Sequence, residues 1–294
     1  MSRNIPLKGI IAYPITPFTA EGMVDINKYK TLLERMIKAG VHAVAPLGSA
    51  GVLPYLSDPE REAIVMATME QVAGRVPVMI GVSGLTTERV VYHARFAEKQ
   101  GAAAVMVIPM SYWKLTETEI FAHFDKVASA ISVPIMAYNN PATGGLDMSP
   151  EFLAKLLKIP NVTMIKESTG DVSRLHRLVQ AAGEDVAFYN GSNPLALDAF
   201  VAGATGWCTA APNLIPQLNL DLYAAITKGN LAAALAVFRK QLSVLQFIVA
   251  GGLPRTVAAG LEILGIDAGH LRAPLAKLSE ADTEQLRKIL RALA

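Results

Sequence analysis

Apolar residues gather in eight short, nearly continuous runs over the first two-thirds of the chain. They begin near Gly9 (GIIAYP), His42 (HAVAPL), Val76 (VPVMIGV), Ala103 (AAVMVIP), Pro134 (PIMAYN), Val162 (VTMIK), Val186 (VAFYN) and Gly206 (GWCTA). Strict alternation of apolar and polar residues would mark a sheet with one wet face. These runs lack it, as parallel strands buried on both faces do. Between them the apolar positions take helical spacing, and the helix ends are legible. Ser57-Asp58-Pro59-Glu60 and Thr116-Glu117-Thr118-Glu119 have the spacing of a capping box. Ser149-Pro150 and Asn193-Pro194 put a capping residue ahead of a proline at the first helical position. Gly40, Gly74, Gly101, Gly183 and Gly203 fall where the apolar period stops, as left-handed terminators do. Strand, capped helix and glycine, repeated to eight strands, predict an α/β protein: a (β/α)8 TIM barrel. An open doubly wound sheet competes, but eight regular units without a domain-like break favour closure.

After about Lys228 the strand signals cease. Leu231, Leu235, Phe238 and Leu242 keep helical spacing, as do Leu286, Ile289, Leu290 and Leu293 behind a Ser279 cap. The expected organisation is a barrel over 1–227 and a C-terminal helical extension over 228–294, packed on the barrel.

Composition narrows the function classes. The 294 residues carry 27 basic and 25 acidic side chains, a net charge of +2, too small for a nucleic-acid footprint. Cys208 is the sole cysteine, so neither an intramolecular disulfide nor a cysteine-cluster metal site is available. Arg3 and Lys8 precede an apolar stretch, but Pro14 and Pro17 interrupt it and no small-residue cleavage site follows. No apolar run approaches the roughly 18 residues of a membrane helix. The expected setting is cytoplasmic, with neither membrane nor nucleic acid as partner.

In a barrel, chemistry belongs to the C-terminal ends of the strands. Lys166 ends the sixth run and shares a strand face with Val162 and Met164, which points it inward. Burial penalises an ammonium and favours the nucleophilic amine, which can condense with a ketone. The plainer alternative is a lysine that leaves the strand and pairs with Glu167. Tyr138 ends the neighbouring fifth run, where its hydroxyl can relay protons, or simply be bonded within a core. Gly48-Ser49-Ala50-Gly51 follows the second run; its small residues let backbone N–H groups converge on a carboxylate, with the Ser49 hydroxyl as a further donor. The five histidines have no ligand-like spacing and HExxH is absent, so no metal is expected. His93, His123 and His176 lie in helix patterns and read as surface residues. No phosphate-binding or dinucleotide glycine motif follows a strand, and no hydrolase elbow surrounds Ser49 or Ser111. The aromatic pair Tyr112-Trp113 reads as core or subunit packing.

These segments together resemble the dihydrodipicolinate synthase / N-acetylneuraminate lyase family. The matching stretches are Ala12-Tyr13-Pro14-Ile15-Thr16-Pro17-Phe18, Gly48-Ser49-Ala50-Gly51, Tyr138-Asn139-Asn140-Pro141 and Ile165-Lys166-Glu167-Ser168-Thr169-Gly170-Asp171. Gly203-Ala204-Thr205-Gly206 and Arg272-Ala273-Pro274-Leu275 follow in the same order. The resemblance implies a barrel with a helical extension, a homotetramer built as a dimer of dimers, and a class I lyase that uses no metal or organic cofactor. It implies that Lys166 forms a Schiff base with pyruvate or another 2-oxo acid and that Tyr138 relays protons. Ser49 and Ala50, beside Gly48, occupy the places of the paired hydroxyl residues that hold the substrate carboxylate.

The departures select among activities. Ala50 lacks the second hydroxyl, and Val52 stands where many members have Glu. Ser111 occupies the place of a relay tyrosine that the synthases donate across a dimer contact; Tyr112 is adjacent. The synthases carry an arginine soon after the catalytic tyrosine, whereas Asn140-Pro141-Ala142-Thr143-Gly144-Gly145 has none. Leaving a second carboxylate unpaired there costs about 2–3 kcal/mol. Asn140, Thr143, Ser168, Asn190, Gly191, Ser192 and Asn193 offer neutral hydrogen-bonding groups in that outer region. The preferred substrate class is therefore a 2-keto-3-deoxy sugar acid, cleaved or formed with pyruvate as the ketone partner. A dehydratase or deaminase of a related 2-oxo acid, 4-hydroxy-tetrahydrodipicolinate synthase itself, and a non-catalytic 2-oxo-acid-binding barrel are the alternatives.

Overall fold

In a computed structural model that describes residues 7–293, all eight runs form strands (Arg3 lies outside the described residues). They are β1 (Gly9–Ala12), β2 (Ala43–Val44), β3 (Met79–Gly81), β4 (Ala104–Val107), β5 (Ile135–Asn139), β6 (Val162–Glu167), β7 (Ala187–Asn190) and β8 (Gly206–Thr209). Every strand residue except Thr163 is buried, which is why the runs read as continuous rather than alternating. The strands are parallel in the order β2-β1-β8-β7-β6-β5-β4-β3. With helices between successive strands, the architecture is a (β/α)8 TIM barrel followed by C-terminal helices.

The chain divides into two compact units, Met1–Gly9 with Pro77–Cys208, and Ile10–Val76 with Thr209–Ala294. The first holds β3 to β7 and helices α3 (Thr87–Lys99), α4 (Glu117–Ala128), α5 (Pro141–Gly144), α6 (Pro150–Leu156), α7 (Ser173–Ala182) and α8 (Ala196–Val201). The α4 capping box is complete: Thr116 N donates to Glu119 and Glu119 N to Thr116 Oγ1. Ser149 Oγ caps α6. Ahead of α8 the chain makes a 3-10 turn, Asn193–Leu195, so Asn193 lies inside the turn and Ser192 precedes it; this corrects Asn193 as a cap. His93 is also corrected. It is buried, because Val90, His93, Ala94 and Ala97 form the inward stripe of α3, while His123 is half-buried with Nδ1 bonded to Thr87 Oγ1. Tyr112 and Trp113 are 88% and 77% exposed, so they are not core.

The second unit holds β2, α1 (Ile26–Ala39), α2 (Asp58–Val72), α9 (Pro216–Thr227), α10 (Leu231–Ala250), α11 (Leu253–Ile263) and α12 (Glu280–Arg291), the last capped by Ser279. At the end of α2 the left-handed cap is Ala73, with Gly74 next to it also at positive φ. α10 is long and apolar enough, by length and composition, to cross a membrane. Arg239, Lys240, Gln241 and Ser243 break its apolar residues, so it is not an unbroken apolar run of that length. Its inward face is packed: Ala234, Phe238, Val244, Leu245 and Ile248 are buried, and the buried Gln241 accepts from Asn219 Nδ2 of α9 at 2.7 Å. This buried amide contact ties α9 to α10, although Asn219 Oδ1 keeps no partner.

Candidate active site

Between β5 and β6 the register shifts once near Ile135 and is then regular from Met136↔Met164 to Asn139↔Glu167, which sets Tyr138 beside Lys166. On the other side of β6, Lys166 faces Tyr189 and Glu167 faces Asn190. Because strand side chains alternate, Tyr138, Lys166 and Tyr189 form one face, and Asn139, Glu167 and Asn190 the other.

On the first face Lys166 is 4% exposed and Tyr138 3%. The lysine Nζ lies 3.8 Å from the centroid of the Tyr138 ring. Asn140 Nδ2 donates to Tyr138 Oη at 2.7 Å. Gly191 closes this face: a Cβ there would sit 2.6 Å from Lys166 Cε and 1.7 Å from Ser168 Oγ. Only glycine lets the chain pass so close to the lysine stem. Ser168 Oγ, Asn140 Oδ1 and Thr169 Oγ1 are buried without a protein partner. A buried polar atom left unpaired is costly, so Ser168 Oγ and Asn140 Oδ1, which share the Tyr138–Lys166 face, mark a place built to receive hydrogen-bonding groups, while Thr169 lies on the Glu167 side. Asn190 and Ser192 bond each other, Asn190 Nδ2 to Ser192 O and Ser192 N to Asn190 Oδ1, both at 2.9 Å. Thr143 is exposed on the single turn of α5, and Ser111 Oγ accepts from Trp113 N at 3.2 Å.

The second face holds a network that the sequence pattern did not disclose. Glu167 accepts from Asn139 Nδ2 at 3.1 Å, Thr169 N at 2.7 Å and Arg174 Nε at 3.3 Å. Asp147 accepts from Asn139 Nδ2 at 3.0 Å and from Arg174 Nη2 at 2.9 Å. Asn139 Oδ1 accepts from Met148 N, and its backbone oxygen from Ser168 N, both at 3.0 Å. Glu167 is thereby committed to Asn139, Thr169 and Arg174. Arg174 reaches partners seven and 27 residues away in the chain, which no local spacing announces.

The Gly48-Ser49-Ala50-Gly51 turn belongs to the second unit. Leu47 and Val52 flank it at φ 58° and 49°, a left-handed conformation that is strained for a β-branched residue. A Cβ at Gly48 would come 2.4 Å from Tyr13 Cδ1, so the Tyr13 ring requires glycine there. Thr16 Oγ1 donates to Gly51 O at 2.9 Å and anchors the far end. Ala50 is buried, which leaves half-buried Ser49 as the hydroxyl-bearing member of the turn.

Residues 6–293 match the Dihydrodipicolinate synthetase family. The chain is 32% identical over 286 residues to a 4-hydroxy-tetrahydrodipicolinate synthase of Methanoculleus marisnigri, covering 96% of this chain and 98% of that one. It is 34% identical over 280 residues to an uncharacterized DapA-like lyase of Halobacterium salinarum, at 95% and 92% coverage. Among solved structures, a protein described as a candidate dihydrodipicolinate synthetase from Pseudomonas aeruginosa superposes with a TM-score of 0.96 at 51% identity, covering 98% of this chain and 100% of that one. YagE of E. coli K12, solved in complex with pyruvate, gives 0.93 at 29% identity, with 98% and 99% covered. The chain is an enzyme of the lyase class and belongs to the dihydrodipicolinate synthetase family.

Proposed function

We propose that the chain is a class I lyase that condenses Lys166 with the ketone of pyruvate or a longer 2-oxo acid, and that its substrate is a 2-keto-3-deoxy sugar acid. The observation that carries the reading is the buried Lys166 Nζ set 3.8 Å from the Tyr138 ring by the β5–β6 register. The amine attacks the ketone carbon, and Tyr138 gives and takes the protons of carbinolamine formation and collapse. The resulting iminium withdraws electrons from the bond between C3 and C4. The Tyr138 phenolate left by that collapse takes the proton of the C4 hydroxyl, and the bond breaks to leave an aldehyde and the pyruvate enamine. The carboxylate-binding role of Gly48, Ser49 and Ala50 belongs to the same proposal and rests on their place in the family pattern.

The tail assignment is supported by the partnerless Ser168 Oγ and Asn140 Oδ1, neutral groups suited to hydroxyls rather than to a second carboxylate. YagE binding pyruvate supports the ketone half. A second reading, the synthase that condenses pyruvate with aspartate semialdehyde, is favoured by relatives such as that of Methanoculleus marisnigri. The missing arginine over 140–145 weighs against it. The proposed assembly is a homotetramer, which light scattering checks; the exposed Tyr112–Trp113 pair offers surface for such contacts. Borohydride trapping with pyruvate, followed by peptide mapping, should place a reduced adduct on Lys166. Pyruvate release from a panel of 2-keto-3-deoxy sugar acids, set against aspartate-semialdehyde condensation, then separates the two readings. Failure of every 2-oxo acid to leave an adduct would sink both.

A further inference from the structure

Asn140 precedes Pro141 at the start of α5, where an asparagine ordinarily turns its side-chain oxygen to the free amides of the first turn. Here the backbone oxygen does that work, accepting from Thr143 N at 3.2 Å and Gly144 N at 2.8 Å. The side chain makes no capping bond. Its Nδ2 donates instead to Tyr138 Oη at 2.7 Å, two residues back along the chain. We infer that Asn140 is a positioning residue for the Tyr138 hydroxyl, holding it as a proton donor in the Schiff-base step; this rests on the lyase reading above.

The physical argument concerns the phenolic oxygen. An N–H aimed at that oxygen occupies one of its lone pairs and turns the O–H proton away from Asn140. It also stabilises the oxygen after the proton has left. When the carbinolamine collapses, the nitrogen lone pair forms the C=N bond and the C–O bond breaks. The departing hydroxyl takes the proton of Tyr138 and leaves as water, so a neutral pair becomes an iminium and a phenolate. The Asn140 N–H faces the atom on which that negative charge appears. Such a contact strengthens as the step proceeds and favours the transition state over the ground state. Because Asn140 is neutral, it does this without adding a cation beside the lysine. Its buried Oδ1 keeps no protein partner and can accept from a substrate hydroxyl, which links tail binding to the orientation of Tyr138.

The test is the pH profile of single-turnover adduct formation between the full-length enzyme and pyruvate, read by borohydride quench and intact mass. Asn140→Leu removes the donor, Asn140→Asp replaces it with an acceptor, and Asn140→Ser keeps a donor. Without the N–H the phenolate is less stabilised. The alkaline limb of the profile should therefore move to higher pH by roughly half a unit or more in Leu and further in Asp, with the neutral-pH rate falling about tenfold. Asn140→Ser should keep the limb close to its parent position. In a Tyr138→Phe background, Asn140→Leu should have little further effect. An unmoved limb in both Leu and Asp, or an undiminished loss on top of Tyr138→Phe, overturns the inference and leaves the lyase reading standing. A parent enzyme that forms no adduct on Lys166 overturns the lyase reading, and the inference with it.

Discussion

Lys166 and Glu167 are neighbours in one strand, yet their surroundings are opposites. Glu167 sits in a closed set of partners, with Asn139, Asp147, Thr169 and Arg174 bonding one another across three segments of chain. Lys166 sits among groups left open: Ser168 Oγ, Asn140 Oδ1 and a glycine where any side chain would collide. The closed face pairs its two carboxylates internally and contributes rigidity. The open face holds partnerless polar atoms at a cost in stability, which is sensible only if a ligand supplies what is missing. Alternation along β6 keeps the two regimes apart within about 3.3 Å of chain.

The contrast can be broken most severely at the lysine. Lys166→Ala should abolish the borohydride-trapped adduct and lower turnover by roughly a thousandfold or more, with far-UV circular dichroism unchanged. Gly191→Ala comes next: the new methyl displaces Lys166 Cε or Ser168 Oγ, and kcat should fall about a hundredfold. Its thermal midpoint should fall far less than the rate suggests, and a large drop in both would show that Gly191 serves packing alone. On the closed face, Arg174→Ala strands the buried Glu167 carboxylate and should destabilise by about 3 kcal/mol in urea unfolding. Arg177→Ala removes the exposed pair with Glu151 and should cost under about 1 kcal/mol. Equal effects of the two would erase the distinction between closed network and surface pair. The smallest effect is expected at Ser168. Ser168→Ala deletes a partnerless hydroxyl, so stability should hold or rise slightly while KM for the sugar acid increases.

A separate acid-stability prediction follows from Glu60, whose carboxyl is held down at about 2 by Arg272, with burial opposing. A depressed folded-state value means that this stabilisation is complete above the ordinary carboxylate range. It is lost progressively as pH falls from about 4.5 towards 2. Acid-unfolding curves of Arg272→Ala should lack that component, and coincident curves for variant and parent would refute it.

The strands were legible because two-sided burial leaves one statistical trace, the unbroken apolar run. Lys166 and Tyr138 stood out as polar residues ending such runs on an inward face. What stayed hidden was assembled from afar. Asn139, Asp147 and Arg174 are ordinary polar residues whose meaning lies in meeting one another, and periodicity cannot register a meeting. His93 escaped for the opposite reason: three apolar neighbours at helical spacing carry it inward, whatever its own polarity. Asn193 shows how a proline misleads, since a short 3-10 turn takes Pro194 as readily as an α-helix does.

For anyone who would redesign this enzyme, β6 is written in two interleaved alphabets. Randomising Met164, Lys166 and Ser168 explores which molecules are accepted and what becomes of them. Randomising Ile165 and Glu167 mostly samples whether the protein survives. A library that mixes the two sets loses most of its members to collapse before any new substrate is tried; one confined to the first set keeps its scaffold while the specificity wanders.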